Sequence, residues 1–252
     1  YSCLASKTNT TAKCSALSTE EKAFSLLAIS QCRTELISDS QNNGECWSDV
    51  PGGNCRIKTT AQAILALDNA NQQTSTAQNW LLSQNKSTTE LIWYLQVENP
   101  TGATSCTVNY STSSYTFSIG DDKKISDEAG LCLIRAQDNY WFRVPTSCYN
   151  LEFQTSCDKD FSTTLLFSKT GSSTIHVSSA THSASPGATT PEKVESFCFA
   201  ENNFCTYEGT LWAALVLNAL DKDVSSYLPY LITLAEDNPR FLPDAFLFFI
   251  TS

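Results

Sequence analysis

Hydrophobic residues recur at helical spacing in several stretches of the chain and alternate with polar residues between them. The first helical stretch runs from 19 to 37, where apolar residues recur three or four positions apart. Ser18 stands before it as an N-cap, and Glu20 and Glu21 occupy the first turn, where carboxylates are favourable. The same spacing predicts further helices over 58–70, 74–84, 208–220, 224–236 and a last one after Pro243.

The middle of the chain alternates with a period of two, which is typical of strands. Its segments are short, rich in β-branched or aromatic residues, and separated by turn residues: 91–97, 106–110, 115–119, 131–134, 140–144, 151–154, 163–167 and 174–177. Strands at this spacing predict an antiparallel β-sandwich. Residues 183–191, rich in Ser, Thr, Pro and Ala, are expected to form a linker.

One sequence unit occurs twice in the chain, with about 150 residues between the two copies. Each copy begins with a closely spaced cysteine pair and continues into two helical stretches. Counted from the second cysteine of each pair, the matching positions are Thr60 with Thr210, Leu65 with Leu215 and Leu67 with Leu217. Helical hairpins that cannot bury their apolar faces alone must stack against one another. Cys3 and Cys14 precede the 19–37 helix in the same way, so that helix is interpreted as a degenerate third copy.

The order of these patterns predicts an α+β fold in which a β-domain interrupts a helical one. The expected boundaries are 1–90 and 198–252 for the two parts of the helical-hairpin domain and 91–197 for the inserted antiparallel β-sandwich. Such an insertion is tolerated where the host chain leaves and re-enters at neighbouring surface points.

Eleven cysteines indicate an oxidising, extracellular or cell-surface location. The spacing suggests the pairs Cys3/Cys14, Cys46/Cys55, Cys148/Cys157 and Cys198/Cys205, and the connectivity stays open. Ten cysteines are disulfide candidates: Cys3, Cys14, Cys46, Cys55, Cys106, Cys132, Cys148, Cys157, Cys198 and Cys205. Cys32 is the candidate free thiol, because it falls inside the predicted 19–37 helix.

Surface chemistry points in the same direction. Asn9, Asn85 and Asn109 each begin an Asn-x-Ser/Thr pattern and are candidate glycosylation sites, although a chain this rich in Ser and Thr also forms such patterns by chance. A net charge of −10 disfavours nucleic acid as a partner. No apolar run approaches the roughly 20 residues of a membrane span, so none is expected.

Tyr1 is interpreted as a processed terminus or the start of an excerpt, and the apolar run at 245–250 as the beginning of an unfinished core element.

Catalytic and metal-binding chemistry is not predicted. The two histidines, His176 and His182, are remote from the cysteine pairs, which disfavours zinc, and neither stands beside a nucleophile motif. Both are expected to be exposed and uncommitted. No cofactor is expected, and the acidic pairs at 121–122 and 158–160 are interpreted as solvated turn residues.

The cysteine loop with Trp47, the helix from Thr59 to Leu67 and the helix from Ala77 to Leu82 together resemble the α/α-toroid superfamily. This superfamily includes terpenoid cyclases, prenyltransferase β-subunits and thioester domains, and the resemblance is nearest to secreted, especially archaeal, surface proteins. It implies stacked helical hairpins. The residues of the enzymatic branches are missing, since the helical half has no histidine and Cys205 is followed three positions later by Glu208 rather than glutamine.

These observations favour a non-enzymatic extracellular structural protein, a surface-protein repeat or a filament subunit, whose partners are copies of itself or other surface proteins. An adhesion module that binds glycans or peptides is the alternative, and a cyclase-like enzyme is a weaker one. The tryptophans of the repeated unit could line a glycan-binding face, but their repeat positions favour the core: Trp47, Trp80 and Trp212. The aromatic residues of the strand region serve either the core or a binding face: Trp93, Tyr94, Tyr140 and Trp141.

Overall fold

The chain forms two compact units in a computed structural model that describes residues 2–50 and 52–251. The helical unit combines the residues up to Ser87 with those from Phe197 onward, and the β unit is Thr88–Ser196. Tyr1, Pro51 in the first cysteine loop, and Ser252 lie outside the described residues. The expected domain boundaries, 1–90 with 198–252 for the helical-hairpin domain and 91–197 for the inserted β-sandwich, stay a prediction.

Helices occur only in the helical unit of the described chain, apart from short 3₁₀ turns. Their bounds are α1 Ser2–Thr8, α2 Thr11–Ser15, α3 Thr19–Ile29, α4 Arg33–Ser38, α5 Ile57–Asn69, α6 Ser75–Ser83, α7 Tyr207–Ala219, α8 Leu228–Thr233 and α9 Pro243–Thr251.

The strands form three antiparallel sheets. Their bounds are β1 Asn85–Ser87, β2 Leu91–Glu98, β3 Thr104–Tyr110, β4 Ser113–Ile119, β5 Ile134–Ala136, β6 Trp141–Val144, β7 Glu152–Cys157, β8 Phe161–Lys169, β9 His176–Ala184, β10 Thr190–Lys193, β11 Phe197–Glu201 and β12 Phe204–Cys205. The helical unit contains the sheet β1-β11-β12, and the β unit contains the sheets β10-β7-β3-β4 and β5-β6-β2-β8-β9. The predicted α+β class is therefore confirmed.

Helix α3 begins as predicted and ends early. The Ser18 hydroxyl accepts the backbone N–H of Glu21, and the Glu21 carboxylate accepts the backbone N–H of Ser18, which completes a capping box. The helix stops because Ser30 and Cys32 both have left-handed backbones, at φ 58° and 63°, which a right-handed helix cannot contain. The single helix predicted over 19–37 is therefore wrong, and α4 restarts after the break.

The core of the helical unit is built around α5, which packs against both α3 and α7. Both α5 and α7 are thirteen residues long, and each follows a disulfide-closed segment. Gly209 leaves little room for a side chain, since an added Cβ would stand 2.3 Å from the Thr206 hydroxyl oxygen and 3.2 Å from the Ile57 Cβ on α5. The helix-forming stretches in this part of the chain thus meet in one core.

The α/α-toroid resemblance is wrong. The described chain combines three antiparallel sheets with helices of at most thirteen residues, and no toroidal helical repeat is evident in it. The second helix of the second copy illustrates the difference, because the stretch predicted as one helix over 224–236 divides into a 3₁₀ turn, the six-residue α8 and another 3₁₀ turn. Helical periodicity identifies an apolar face but does not secure a long helix, since tertiary packing overrides it.

The β unit holds one hydrophobic core between its two sheets, as a β-sandwich does. Strand β2 shows the alternation that predicted it, with inward residues Leu91, Trp93, Leu95 and Val97 at most 4% exposed. Residues 183–191 are not a linker, because β9 continues to Ala184 and β10 starts at Thr190. This short connection joins one sheet to the other.

The predicted strand over 131–134 is also wrong. Leu131 is 89% exposed, and the chain bends there until β5 starts at Ile134. Cys132 is bonded to Cys148, and Gly130 has φ +74° and lies against the Tyr110 and Tyr115 side chains. A disulfide and a glycine with a left-handed backbone therefore determine the conformation of this segment, whereas its apolar residues alone favoured a strand.

Candidate functional site

The cysteines form five disulfides in the described part of the chain. The bonds are Cys14–Cys32, Cys46–Cys55, Cys106–Cys157, Cys132–Cys148 and Cys198–Cys205. Five disulfides fit an extracellular protein.

Two of the suggested pairs and the suggested free thiol do not match these bonds. Cys32 is bonded to Cys14, and the free cysteine is the exposed Cys3. The break between α3 and α4 removes Cys32 from the helix that had favoured a free thiol. The pair Cys148/Cys157 is wrong because Cys157 lies directly opposite Cys106 in the β3–β7 ladder, with the two Cα atoms 4.0 Å apart.

The three candidate glycosylation sites, Asn9, Asn85 and Asn109, are all exposed. Asn9 lies between α1 and α2, Asn85 begins β1, and Asn109 lies on β3. Exposure is a requirement for attachment of a glycan, and glycosylation itself stays a prediction.

The predicted aromatic residues separate into buried and accessible groups. Trp47 is 3% exposed and its indole N–H donates to the Leu36 carbonyl at 2.7 Å. Trp93 is 1% exposed in the β-unit core, whereas Trp80, Trp212 and Trp141 are half-buried and Tyr140 is 43% exposed. In the β unit, the accessible rings are therefore those at the start of β6.

The helical unit has a cleft of about 420 Å³ at the N-terminal ends of α3, α5 and α7. Six charged side chains line it: Glu20, Asp49, Arg56, Lys58, Glu201 and Glu208. We call it the charged cleft. Four carboxylates and two cations leave it acidic, but the charges are paired with one another.

Ion pairs tie the three helix ends of the charged cleft together. The Lys58 ammonium lies 2.8 Å from the Glu208 carboxylate and 3.3 Å from Glu20. Burial alone lowers the pKa of Lys58, but the hydrogen bonds and negative charges of these two carboxylates outweigh it, so the pKa is raised. Because the lysine is held protonated between two carboxylates, these ion pairs have a structural role: they link the helix ends.

Arg56, the other cation of the charged cleft, pairs with a carboxylate that caps α5 from another part of the chain. Helix α5 has no capping side chain of its own at Arg56. Instead, the Glu201 carboxylate accepts the backbone N–H of Ile57 at 2.9 Å, and the Arg56 guanidinium lies 2.8 Å from the same carboxylate. A residue of β11 thereby satisfies an N–H group that would otherwise lack a partner at the start of α5.

The β unit has a second cleft, of about 380 Å³, where β2 ends and β6 begins. We call it the aromatic cleft. Its lining residues are Gln96, Val97, Glu98, Asn99, Pro100, Lys123, Tyr140, Trp141 and Ser162. The two rings come from adjacent positions, and the polar groups come mainly from the end of β2.

Most polar groups of the aromatic cleft are held in place by hydrogen bonds to neighbouring groups. The Gln96 amide donates to the Glu98 carboxylate, and the Lys123 ammonium donates to the Asn99 carbonyl at 2.5 Å. Asn99 is 2% exposed, and its side-chain oxygen accepts the backbone N–H of Thr101 at 2.6 Å. Its side-chain Nδ2 is buried and has no hydrogen-bond acceptor within the described residues.

His182 has a contact that the sequence did not suggest. Its Nδ1 lies 2.8 Å from the carboxylate of Glu192, which is 3% exposed and also accepts the Thr163 hydroxyl at 2.7 Å. Glu192 belongs to β10, whereas Thr163 and His182 belong to β8 and β9, so this carboxylate joins the two sheets. His176 instead stacks on Phe167. The expectation that His182 is uncommitted is wrong, and no signal in the sequence pairs it with Glu192.

Among residues 2–50 and 52–251, no cluster of three His, Cys, Asp or Glu side chains is arranged to hold a metal ion. Within the same residues, every helix is too short or too polar to cross a bilayer.

No family model, no curated protein and no solved structure matches this chain.

Proposed function

We propose that this chain is a non-enzymatic extracellular structural protein that assembles with copies of itself along the free edge of β9. The five disulfides support the extracellular part of the proposal, because such bonds persist in oxidising compartments. Each one also restricts the unfolded chain, which suits a protein exposed to heat and proteases.

The edge strand β9 is the observation that carries the assembly part. It has nine residues, and β8 is its paired strand in the described sheet. Its sequence contains no Lys, Arg, Asp, Glu or Pro, the residues that usually protect an edge from pairing with another chain. Its backbone groups on the free side are therefore suited to strand addition.

The other edges of the β unit are less suitable. Strand β5 has three residues, and β10 has four and contains Pro191. Strand β4 has seven residues, but Ile119 at its end bridges to Ile125. Strand β9 is the longest of these edges and has no charged residue or proline, and its one irregularity is a register shift where β8 passes from Thr164 to Leu166. We therefore place the contact there.

The test compares charged variants of the two long edges. Ser179→Lys combined with Ser183→Lys places two charges on exposed positions of β9. The matched control, Ser113→Lys with Ser114→Lys, adds the same charges to exposed positions of β4. We expect sedimentation velocity and negative-stain electron microscopy to show oligomers for the natural chain and the control, and monomers for the β9 variant.

Two outcomes would contradict the proposal. One is a natural chain that stays monomeric up to roughly 100 μM, well above the concentration at which a stable interface associates. The other is a reversal in which only the β4 variant fails to assemble. Circular dichroism on both variants verifies that each is folded.

A further inference from the structure

We propose that the aromatic cleft of the β unit binds a neutral glycan, with the pyranose ring stacked on Trp141 and Tyr140. The proposal goes beyond self-assembly, and it depends on different residues from the β9 edge contact.

The size and lining of the aromatic cleft fit one or two sugar residues. Its volume of about 380 Å³ falls within the range of clefts that hold small ligands. Tyr140 is 43% exposed and Trp141 is half-buried, so part of each ring remains accessible. An aromatic ring offers a flat apolar surface with a polar edge, which matches a pyranose that is apolar on its C–H face and polar at its rim.

The polar side chains around the rings can recognise hydroxyl groups. Gln96 and Glu98 lie two positions apart on β2, on the same face, and are already hydrogen-bonded to each other. Such a paired amide and carboxylate presents both donors and acceptors in a fixed arrangement. Ser162, opposite Glu98 in the β2–β8 ladder, adds a hydroxyl.

Asn99 lines the aromatic cleft, but its side-chain amide nitrogen is not available to a ligand. Its side-chain oxygen is identified by the N–H of Thr101 that it accepts, so the other atom is the Nδ2 donor. This donor is buried and has no acceptor in the described residues. An atom that solvent cannot reach cannot bind a sugar hydroxyl, so recognition in the cleft depends on the two rings and on the polar groups of Gln96, Glu98 and Ser162.

The charges nearby favour a neutral ligand over a cation. The Lys124 ammonium lies 5.5 Å from the centre of the Tyr140 ring and already occupies the cation–π position. Lys123 also lines the cleft. A quaternary ammonium ligand would therefore meet like charge, and an anionic ligand would meet Glu98. A neutral glycan meets neither penalty.

The experiment titrates the folded chain with cellobiose, maltotriose, mannobiose and N,N′-diacetylchitobiose, followed by ligand-observed NMR and tryptophan fluorescence. We expect at least one of these sugars to bind with a Kd on the order of 1 mM or lower. Trp141→Ala and, separately, the more exposed Tyr140→Ala are expected to weaken binding at least tenfold. Phe204→Ala, which removes a more exposed ring from the helical unit, is the control and is expected to bind like the natural chain.

Gln96→Ala sharpens the assignment, because it removes one polar group of the cleft without touching the rings. We expect weaker binding with an unchanged unfolding midpoint. The proposal is overturned if none of the four sugars binds at concentrations of about 10 mM. It is equally overturned if binding survives in both ring variants. Because neither β9 nor β4 is altered, loss of sugar binding leaves the assembly result unaffected.

Discussion

The helical unit and the β unit differ in the sequence separation of the cysteines that their disulfides join. In the helical unit the disulfides join cysteines 18, 9 and 7 positions apart, and each stabilises a local segment beside a helix. In the β unit one disulfide spans 51 positions and joins neighbouring strands that are distant in sequence. The difference predicts that the two units respond unequally to the loss of one bond.

Each unit also contains one buried charged side chain, compensated in a different way. In the helical unit the Lys22 ammonium, 1% exposed, lies 2.5 Å from the Asp39 carboxylate. In the β unit Glu192 is held by one hydroxyl and one imidazole. A full opposite charge is a stronger partner than a hydroxyl, so the helical unit depends more on its single pair.

The largest effect is expected from removing the long-range disulfide. Replacing Cys106 and Cys157 by serine releases a loop of 51 positions, for which chain entropy predicts a loss of about 4 kcal/mol of unfolding free energy. Replacing Cys198 and Cys205 releases 7 positions and is expected to cost about 2.5 kcal/mol. Denaturant unfolding measures both losses. Equal losses in the two variants would contradict the comparison.

The next largest effect is expected at the buried charges. Asp39→Asn leaves the Lys22 ammonium buried without its carboxylate and is expected to cost about 3 kcal/mol. His182→Ala leaves Glu192 with the Thr163 hydroxyl and is expected to cost about 1.5 kcal/mol. Hydrogen exchange, read separately in each unit, measures where protection is lost. A larger loss from the histidine variant would reverse the predicted order.

A smaller effect is expected from two matched threonines of the helical unit. The Thr60 hydroxyl accepts the backbone N–H of Trp47, and the Thr210 hydroxyl accepts that of Phe199, each at 3.0 Å. Thr60→Val and Thr210→Val leave buried N–H groups unpaired, at a cost of about 2 kcal/mol each.

Thermal unfolding measures the cost of each valine variant, and the corresponding serine variants, which keep the hydroxyl, are the controls. Similar costs at both positions would support a shared local motif in the two copies. A neutral result at either position would contradict it.

The smallest effect is expected at the cap of α3. Ser18→Ala removes the hydroxyl that caps the helix and is expected to cost about 1 kcal/mol at pH 7. The backbone N–H and hydroxyl of Ser18 lower the pKa of Glu21. This contribution is therefore present above the ordinary carboxyl pKa near 4.5 and is lost as the pH falls through the lower folded pKa.

The difference between the natural chain and Ser18→Ala should consequently shrink on acidification to about pH 3, a value below the ordinary glutamate pKa. Unfolding curves at the two pH values measure this difference. A gap that widens at low pH would contradict the capping role.

Sequence patterns predicted what depends on neighbouring residues. The Ser18 cap, helices α5 and α7, and the alternation in β2 all follow from spacings of a few residues. The same reasoning failed where distant parts of the chain decide the local structure. Cys32 breaks a periodic stretch because its backbone is left-handed and its sulfur is bonded to Cys14, and neither fact can be read from periodicity.

The candidate site was predicted only in part, for the same reason. Tyr140 and Trp141 were identified as possible binding residues because tyrosine and tryptophan combine a large apolar surface with a polar group. Gln96 and Glu98 were not, since their hydrogen bond beside the rings depends on how the end of β2 packs, which only the structure reveals. The link from Glu192 to β8 and β9 was missed because strand order is set by pairing between distant segments.

The most direct test is a peptide map of the native protein under non-reducing conditions, with free thiols alkylated beforehand. We expect five disulfide-linked peptide pairs that join Cys14 to Cys32, Cys46 to Cys55, Cys106 to Cys157, Cys132 to Cys148 and Cys198 to Cys205, and alkylation at Cys3. Alkylation at the paired cysteines of protein taken from its natural source would contradict both the stabilisation described for the two units and the extracellular role proposed for the chain.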